Sequence, residues 1–431
     1  QSGLLGLVAG LCAIPLGVAL AWLLVFVINQ RAFGWTMGFD LHAMPLLEGV
    51  MLAVLAALIA AVQPAFRAAR LAPALLLAAA VGGAQAQNMA DVMGPDIDTD
   101  RFARVTEPQP LVFPDDHGAH PDYRTEWWYF VGNLADDQGQ AFGFQLTLFR
   151  SALDPEPQAR SSNWATRQAW MGHFAITDIT GGDHRAVERY QRGALGLAGA
   201  QVRPVRIWMD DWQALSLTDA TLFPLQLSAQ DEQTEIGLDL NLEAFKPHVL
   251  QGNAGYSQKG EDPGNASRYY SFTRLGAEGQ VTFAGQTYTV DGTAWLDREW
   301  STSALDSNQE GWDWFSLQLQ DGRDVMVYRL RRTDGSTAPQ SAGIVVEPDG
   351  QSSVLGAQDF TLTPIRHWQS PKTDSSYPVE WSLSIPDHDL ELSVKARVDE
   401  QEMPTTIRYW EGAVGVQGST AGVGYMELTG Y

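Results

Sequence analysis

The stretch YRTEWWYFVGNLADDQGQAFGFQLTLF, residues 123–149, contains two runs typical of β-strands with a turn between them. In the second run, 141–149, phenylalanine and leucine alternate with small or polar residues, as in a strand with one buried face. The polar segment DDQG at 136–139 supplies the turn residues of a hairpin. The first run is apolar on both faces, and only one carboxylate interrupts it.

The same pattern continues towards the C-terminus. DVMVYRLR at 324–331 alternates in the same way, and turn signals at 291–292, 321–322 and 334–336 follow at hairpin spacing. This part of the chain contains no long amphipathic pattern typical of a helix. The sequence therefore predicts an all-β fold made of antiparallel barrels or sandwiches.

Composition excludes several classes of function. The 431 residues include 28 basic and 51 acidic side chains, and the formal net charge of −23 argues against nucleic acid and anionic lipid headgroups as partners. The single cysteine, Cys12, excludes a disulfide framework and a thiolate metal site. The eight histidines show neither HxH nor HExxH spacing, so we expect no metal and no other cofactor.

The first 86 residues differ from the rest of the chain. Two charge-free runs, 4–28 and 49–66, are each about long enough to cross a hydrocarbon core, which takes roughly 20 residues. They predict two transmembrane helices, over about 4–28 and 45–66. Arg67 and Arg70 place the end of the second helix in the cytoplasm. The alternative, two buried helices of a soluble domain, would require a polar face that these runs lack.

A signal-like segment follows the predicted helices. RLAPALLLAAAVGGAQAQ, residues 70–87, has a basic start, a short apolar stretch and a small-x-small site, so we expect cleavage after Ala86. An uncleaved anchor is the alternative. In either case the β region is expected in the periplasm, anchored to the bacterial inner membrane or released from it.

These features divide the chain into four predicted parts. Residues 1–70 form the membrane part, and 71–106 form the signal-like segment and a linker. The segment QGNAGYSQKGEDPGNAS, 251–267, is too polar for a buried strand. We therefore expect one β domain over 107–265 and a second over 266–431.

The strand at 123–134 places a carboxylate among aromatic side chains. If it is extended, Glu126 and Trp128 lie on one face, and Trp127 and Tyr129 lie on the other. Glu126 is then a candidate acid at the edge of an aromatic cavity, and the three aromatic residues are candidate ligand contacts. The alternative is an ion pair between Glu126 and an arginine.

A second segment, GTAWLDREWSTS at 292–303, brings two carboxylates together. An extended chain places Trp295, Asp297 and Glu299 on one face, with neighbouring carboxylates about 7 Å apart. Two acids in an aromatic pocket shift each other's pKa, so that one is protonated while the other is charged. The alternative is a surface ion-pair cluster around Arg298.

Further aromatic residues are candidates for the wall of the same cavity. EGWDWFSLQLQDG, 310–322, places Trp312 and Trp314 on one face of a strand, and Trp300 and His173 lie in neighbouring apolar segments. Such stripes often belong to a plain core. Their number here favours a wide, apolar binding site.

Six segments together resemble the AttH/CrtC family of lipocalin-like proteins. They are YRTEWWYFVGNL, MGHFAITD, RYYSFTRL, AWLDREWSTS, GWDWFSLQL and YWEGAVGVQGSTAGVGYMELTGY, and they span about 107–431. The resemblance implies two tandem lipocalin-like β units. The family includes carotenoid 1,2-hydratases, in which an acid of the D-x-E segment donates a proton, and Asp297 is the matching position. Those hydratases have histidine beside this aspartate, where the present chain has Arg298.

A separate resemblance concerns the N-terminus. PAFRAARLAPA, 64–74, follows two predicted helices and resembles the C-terminal end of FtsX-type ABC-transporter permeases. It implies a membrane contact through these helices and, as partners, the permease and ATPase subunits of an ABC transporter.

Two functions of different classes agree with these features. The first is an exported lipocalin-like carrier that binds an isoprenoid or lipid-like molecule beside an ABC transporter. The alternative is a cofactor-independent hydratase, in which Asp297 or Glu299 protonates an isolated C=C bond and tryptophans hold the cation. An Asp297 buried against tryptophan without an arginine partner would favour the enzyme.

Overall fold

The computed structural model describes residues 87–88, 101–155, 162–303 and 305–431. The predicted transmembrane helices and the signal-like segment, within residues 1–86, lie outside these ranges. Within the described ranges no helix is both long and apolar enough for a membrane span.

The first sheet contains thirteen of the described strands. They are β2 (Thr125–Ala135), β3 (Ala141–Ala152), β4 (Gln168–Asp178), β5 (Asp183–Arg192), β6 (Ala198–Val202), β7 (Val205–Met209), β8 (Trp212–Ser216), β9 (Leu225–Asp231), β10 (Ile236–Ala244), β11 (Val249–Leu250), β12 (Tyr256–Gln258), β13 (Ala266–Phe283) and β14 (Gln286–Ser301). The main path runs β5-β4-β3-β2-β14-β13-β10-β9-β8-β7-β6, with β11 and β12 paired to β13. The long central strands β2, β13 and β14 carry three of the six sequence motifs.

The second sheet contains eleven of the described strands. They are β1 (Gln87–Asn88), β15 (Gln309–Leu319), β16 (Asp324–Arg332), β17 (Ala342–Val346), β18 (Ser352–Gly356), β19 (Thr361–Gln369), β20 (Ser376–Ile385), β21 (Leu390–Ala396), β22 (Glu402–Met403), β23 (Ile407–Gly418) and β24 (Gly422–Thr429). The main path runs β18-β17-β16-β15-β24-β23-β21-β20-β19. Only β1, among the described strands, pairs in parallel, with β23.

The boundary between the two sheets differs from the predicted domain boundary after residue 265. β13 and β14, residues 266–301, pair with β10 and β2 and so belong to the first sheet. Apart from β1, the strands of the second sheet begin only at Gln309. The polar segment 251–267 contains the short strand β12 and the start of β13, which pair with each other across a loop within the first sheet. A loop within one sheet and a linker between two domains have the same polar, glycine-rich composition, so this composition does not locate the boundary between the sheets.

Successive side chains of the central strands point to opposite faces, so each strand contributes side chains to two separate cores. In β2, Trp128 and Phe130 pack in a core made by the first sheet alone, whereas Tyr129 and Val131 face a core shared by both sheets. The second sheet has its own core on its other side. The all-β prediction is confirmed: two curled antiparallel sheets pack against each other, and the strands at their contact are buried on both faces.

Candidate functional site

A cavity lies in the shared core between the two sheets. It encloses about 790 Å³ of space outside the protein atoms, its open mouth included. Its aromatic wall comes from both sheets and includes Trp127, Tyr129, Tyr269, Trp312, Trp314 and Tyr409. Its charged and acidic groups are Asp297, Glu299, Glu411, Glu427 and Lys259. The cavity thus combines an apolar wall with four carboxyl groups.

Asp297 lies on β14 and is buried in this wall, 4% exposed. One carboxyl oxygen accepts hydrogen bonds from Ser271 Oγ at 2.5 Å and Trp295 Nε1 at 2.7 Å, and the other accepts one from the Tyr269 hydroxyl. Burial raises the pKa of Asp297 to about 7. The three hydrogen-bond donors lower this pKa in part, and the nearby Glu299 makes a smaller contribution to the rise. No arginine pairs with it among the described residues, so the predicted ion pair with Arg298 is absent.

Glu299 lies two residues further along the same face of β14. Ser267 Oγ donates a hydrogen bond to it, and Lys259 Nζ lies 3.4 Å from the same oxygen. The Lys259 ammonium also lies 4.0 Å from the ring centre of Tyr328. Burial alone would lower the pKa of Lys259, but Glu299 and Tyr328 outweigh it and raise the pKa. Asp297 and Glu299 therefore have different surroundings, one held by neutral donors and the other by an ammonium group.

The second sheet contributes a facing pair of carboxyl groups, Glu411 and Glu427. They are cross-strand partners of β23 and β24. Burial raises the pKa of Glu427 to about 7, against a hydrogen bond of 2.8 Å from Trp312 Nε1. Burial and the neighbouring Glu427 raise the pKa of Glu411 well above its usual value.

Glu411 differs from the other three carboxyl groups in its lack of partners. Neither of its oxygens has a hydrogen-bond partner within 3.5 Å among the described residues, and the hydroxyl of Tyr129 is buried without a partner too. The hydroxyls of Tyr129 and Tyr409 lie near enough to oppose part of the rise in its pKa. An unpaired carboxyl group facing an apolar cavity is available to a ligand.

These groups make general acid–base chemistry possible near neutral pH. The pKa values of Asp297 and Glu427 lie near 7 and that of Glu411 is raised well above its usual value, so protonated and ionised carboxyls coexist there. The described residues contain no group of three or more His, Cys, Asp or Glu side chains arranged to hold a metal ion.

Six of the residues predicted from sequence line the cavity. They are Trp127, Tyr129, Asp297, Glu299, Trp312 and Trp314. Two more lie directly behind its wall. Trp295 donates to Asp297, and His173 is fully buried, with its Nδ1 2.7 Å from the hydroxyl oxygen of Tyr409.

Three predicted site residues, Glu126, Trp128 and Trp300, do not line the cavity. Trp128 and Trp300 pack in the core of the first sheet, on the opposite faces of β2 and β14. Glu126 forms ion pairs with Arg150 and Arg298. Burial alone would raise its pKa, but the two guanidinium groups outweigh it and hold the pKa well below the usual range. The ion-pair alternative for Glu126 was therefore the correct one.

Sequence reasoning missed ten cavity residues, and among them are Lys259, Tyr269, Tyr409, Glu411 and Glu427. A signal was present for two of them. Glu411 in YWEGAV and Glu427 in YMELT each interrupt an otherwise apolar strand. Their pairing across β23 and β24 requires the register, which the sequence does not show.

The profile of the family described as AttH-like matches residues 104–431. The chain belongs to the AttH-like family. Its fold is similar to the crystal structure of an AttH protein from Nitrosomonas europaea, with a TM-score of 0.68, 34% identity and coverage of 77% of this chain and 100% of that one. The fold is also similar to that of kievitone hydratase from Nectria haematococca, with a TM-score of 0.58, 14% identity and coverage of 77% and 98%.

Curated relatives match two different parts of the chain. A stretch of 71 residues, 16% of this chain, is 45% identical to 8% of an uncharacterised ABC transporter permease of Mycobacterium tuberculosis. Dehydratase asqC of Emericella nidulans is 24% identical over 184 residues, 41% of this chain and 50% of the enzyme. Kievitone hydratase of Fusarium solani subsp. phaseoli is 24% identical over 197 residues, which are 44% of this chain and 53% of that enzyme. The chain thus spans about half the length of the two fungal enzymes.

Proposed function

We propose that the cavity between the sheets catalyses the addition or removal of water on a lipophilic substrate, without a cofactor. The observation that carries the proposal is the buried carboxyl cluster in the aromatic wall, with the pKa of Asp297 at about 7. The environment of Asp297, buried beside Trp295 and free of arginine, favours chemistry over a structural ion pair. A hydratase and a dehydratase among the relatives support this class of reaction.

Protonated Asp297 is the acid in this reaction. Its carboxyl proton forms a new C–H bond with the π electrons of the substrate alkene, which leaves a cation on the other carbon. Trp314 and Tyr269 face the cavity beside Asp297, so their rings are placed to stabilise that cation. A water molecule forms the C–O bond and loses a proton to an ionised carboxylate of the cavity, and dehydration is the reverse.

The substrate class follows from the wall of the cavity. Aromatic and aliphatic side chains from both sheets surround the carboxyl groups, so the reacting bond belongs to an apolar molecule. An isolated C=C bond of an isoprenoid gives a tertiary cation, which the aromatic rings stabilise best. The test compounds are therefore prenylated phenols, carotenoids and simple terpenes. Kievitone is included because one relative is a hydratase named for it.

The test is the variant Asp297→Asn, which keeps the shape of the side chain and removes the acid. We expect product formation to fall by about 10²–10⁴-fold while affinity for the substrate stays within a few-fold. Incorporation of ¹⁸O from labelled water measures turnover, and fluorescence quenching of the cavity tryptophans measures affinity. Glu310→Gln, an exposed carboxyl on β15, is the matched control.

The same measurements decide between this enzyme and a lipophilic carrier. A carrier would show affinity for these compounds and no turnover in either the wild type or the variant. Equal loss of turnover and affinity in Asp297→Asn would contradict the role of Asp297 as the acid.

The N-terminal comparison supports a separate proposal on location. The 45% identity of 71 residues to a permease supports a β region outside the cytoplasm, beside an ABC transporter. Protease treatment of spheroplasts would digest the β region if this is right and spare it if the region is cytoplasmic.

A further inference from the structure

A line of polar side chains runs from the outer side of β5 to the cavity. Glu188, on β5, has a side chain that is 13% exposed and therefore reaches water. Its carboxylate oxygen lies 3.1 Å from Nε2 of His173 on β4. Both the backbone N–H and the hydroxyl of Thr406 donate to Glu188, at 3.1 and 2.6 Å. These hydrogen bonds fix the position of the Glu188 carboxylate at the solvent end of the line.

His173 connects this outer end to the cavity wall. The ring is fully buried, packs against Phe149, and places Nδ1 2.7 Å from the hydroxyl oxygen of Tyr409. Tyr409 lines the cavity with its hydroxyl near Glu411, and neither oxygen of Glu411 has a hydrogen-bond partner within 3.5 Å among the described residues. The two ring nitrogens of His173 therefore link Glu188 to the hydroxyl of Tyr409, and the last step, from Tyr409 to Glu411, joins two neighbouring cavity residues that are not hydrogen-bonded to each other.

We propose that Glu188, His173 and Tyr409 form a proton relay between solvent and Glu411. The relay rests on the proposed acid–base function of the cavity, because a lipophilic ligand that fills the cavity excludes water from Glu411. Protonated Glu188 gives its proton to Nε2 of His173, the Nδ1 proton passes to the oxygen of Tyr409, and the hydroxyl proton of Tyr409 passes to an ionised Glu411. One proton enters from solvent and one arrives at Glu411, with no change in the charge of the intermediate groups.

Each passage leaves His173 in its other tautomer, and passage in the opposite direction restores it. Addition of water to an alkene consumes one proton at carbon and releases one from water. One outward passage removes the proton that water gives to Glu411, and one inward passage returns a proton that Glu411 hands on to Asp297. The two passages together restore the acid, the ionised Glu411 and the tautomer of His173.

Titratable groups surround both ends of this path. Tyr190 donates a hydrogen bond of 3.0 Å to Glu188 at the outer end; at the inner end Glu427 and Tyr129 shift the pKa of Glu411, and Glu411 in turn helps to raise the pKa of Tyr425. Burial alone would raise the pKa of Glu188, but hydrogen bonds from His173 and Thr406 outweigh it and lower the pKa. Glu188 is consequently an anion at neutral pH and attracts protons from solvent.

The experiment measures exchange of the Glu411 carboxyl proton while a saturated isoprenoid alkane, which cannot react, fills the cavity and keeps water from Glu411. Full-length protein is mixed into D₂O, and time-resolved infrared spectroscopy follows the isotope shift of the buried carboxyl band, which Glu411→Gln identifies. We expect Tyr409→Phe and Glu188→Gln each to slow this exchange by roughly tenfold or more. Tyr377→Phe is the matched control, because Tyr377 is also buried and donates to a glutamate, Glu402, at 2.9 Å.

The outcomes separate the relay from the proposed reaction. Exchange in both relay variants within twofold of the wild type would overturn the relay and leave the role of Asp297 untouched. Slower exchange in a protein that hydrates none of the test compounds would support the relay and count against the reaction. If Tyr409→Phe fails to fold, Glu188→Gln alone decides, because its side chain lies at the surface end.

Discussion

Two glutamates in similar apolar strands have opposite roles because their partners differ. Glu126 lies between two guanidinium groups, whereas Glu411 faces a second carboxyl group across the strand pair. The sequence shows a buried carboxylate in both places but not its partners, because Arg298 lies 172 residues from Glu126 in the chain. The Asp297 and Glu299 pair was predictable, since a strand fixes which neighbours share a face.

The ion pairs of Glu126 lead to a prediction for this single residue. Glu126→Gln leaves Arg150 and Arg298 buried without a counter-charge, so the free energy of unfolding should fall by about 3–5 kcal/mol. Urea denaturation at neutral pH measures it, with Glu310→Gln as the exposed control. A loss below about 1 kcal/mol would mean that the pairs contribute little to the fold.

At the scale of the strands, alternation was the most reliable signal in the sequence. The run 141–149 is part of β3 and the run 324–331 is part of β16. The dipeptide at 291–292, in contrast, lies inside β14 rather than in a turn. A Cβ on Gly292 would come 2.1 Å from the carbonyl oxygen of Asn133, so this glycine permits close approach of β2. A glycine in the sequence can therefore indicate either a turn or the close approach of two strands, and composition alone does not distinguish the two.

The two faces of β15 lead to a prediction for one element. Phe315 is fully buried in the core of the second sheet, whereas Trp312, on the other face, lines the cavity. Phe315→Ala should lower the free energy of unfolding by about 3–5 kcal/mol. Trp312→Ala should cost about 1 kcal/mol and should weaken the binding of anilinonaphthalene sulfonate.

Urea denaturation and dye fluorescence measure these two effects separately. Equal destabilisation by both substitutions, with dye binding unchanged, would show that Trp312 belongs to a plain core rather than to a binding wall.

At the scale of the whole molecule, the site exists only because two sheets pack together. Asp297 and Glu299 come from the first sheet, and Glu411 and Glu427 come from the second. Sequence patterns predicted two β units and half of the carboxyl cluster. They did not predict the facing pair, because the packing of one curled sheet on another depends on contacts such as Asn133 with Gly424 and His173 with Tyr409, which are 291 and 236 positions apart in the chain.

The central claim is that this packing keeps Asp297 protonated near neutral pH. Titration of ¹³C-labelled aspartate carboxyl groups by NMR, from about pH 4 to about pH 9, measures its pKa directly, and Asp297→Asn assigns the signal. We predict one aspartate with a midpoint at about 7, absent in the variant, because burial disfavours the charged form. Hydration activity should decline as the pH rises through this midpoint, because only the protonated acid donates. If every aspartate instead titrates near the ordinary value of about 4, Asp297 is ionised at neutral pH and the proposed acid catalysis is wrong.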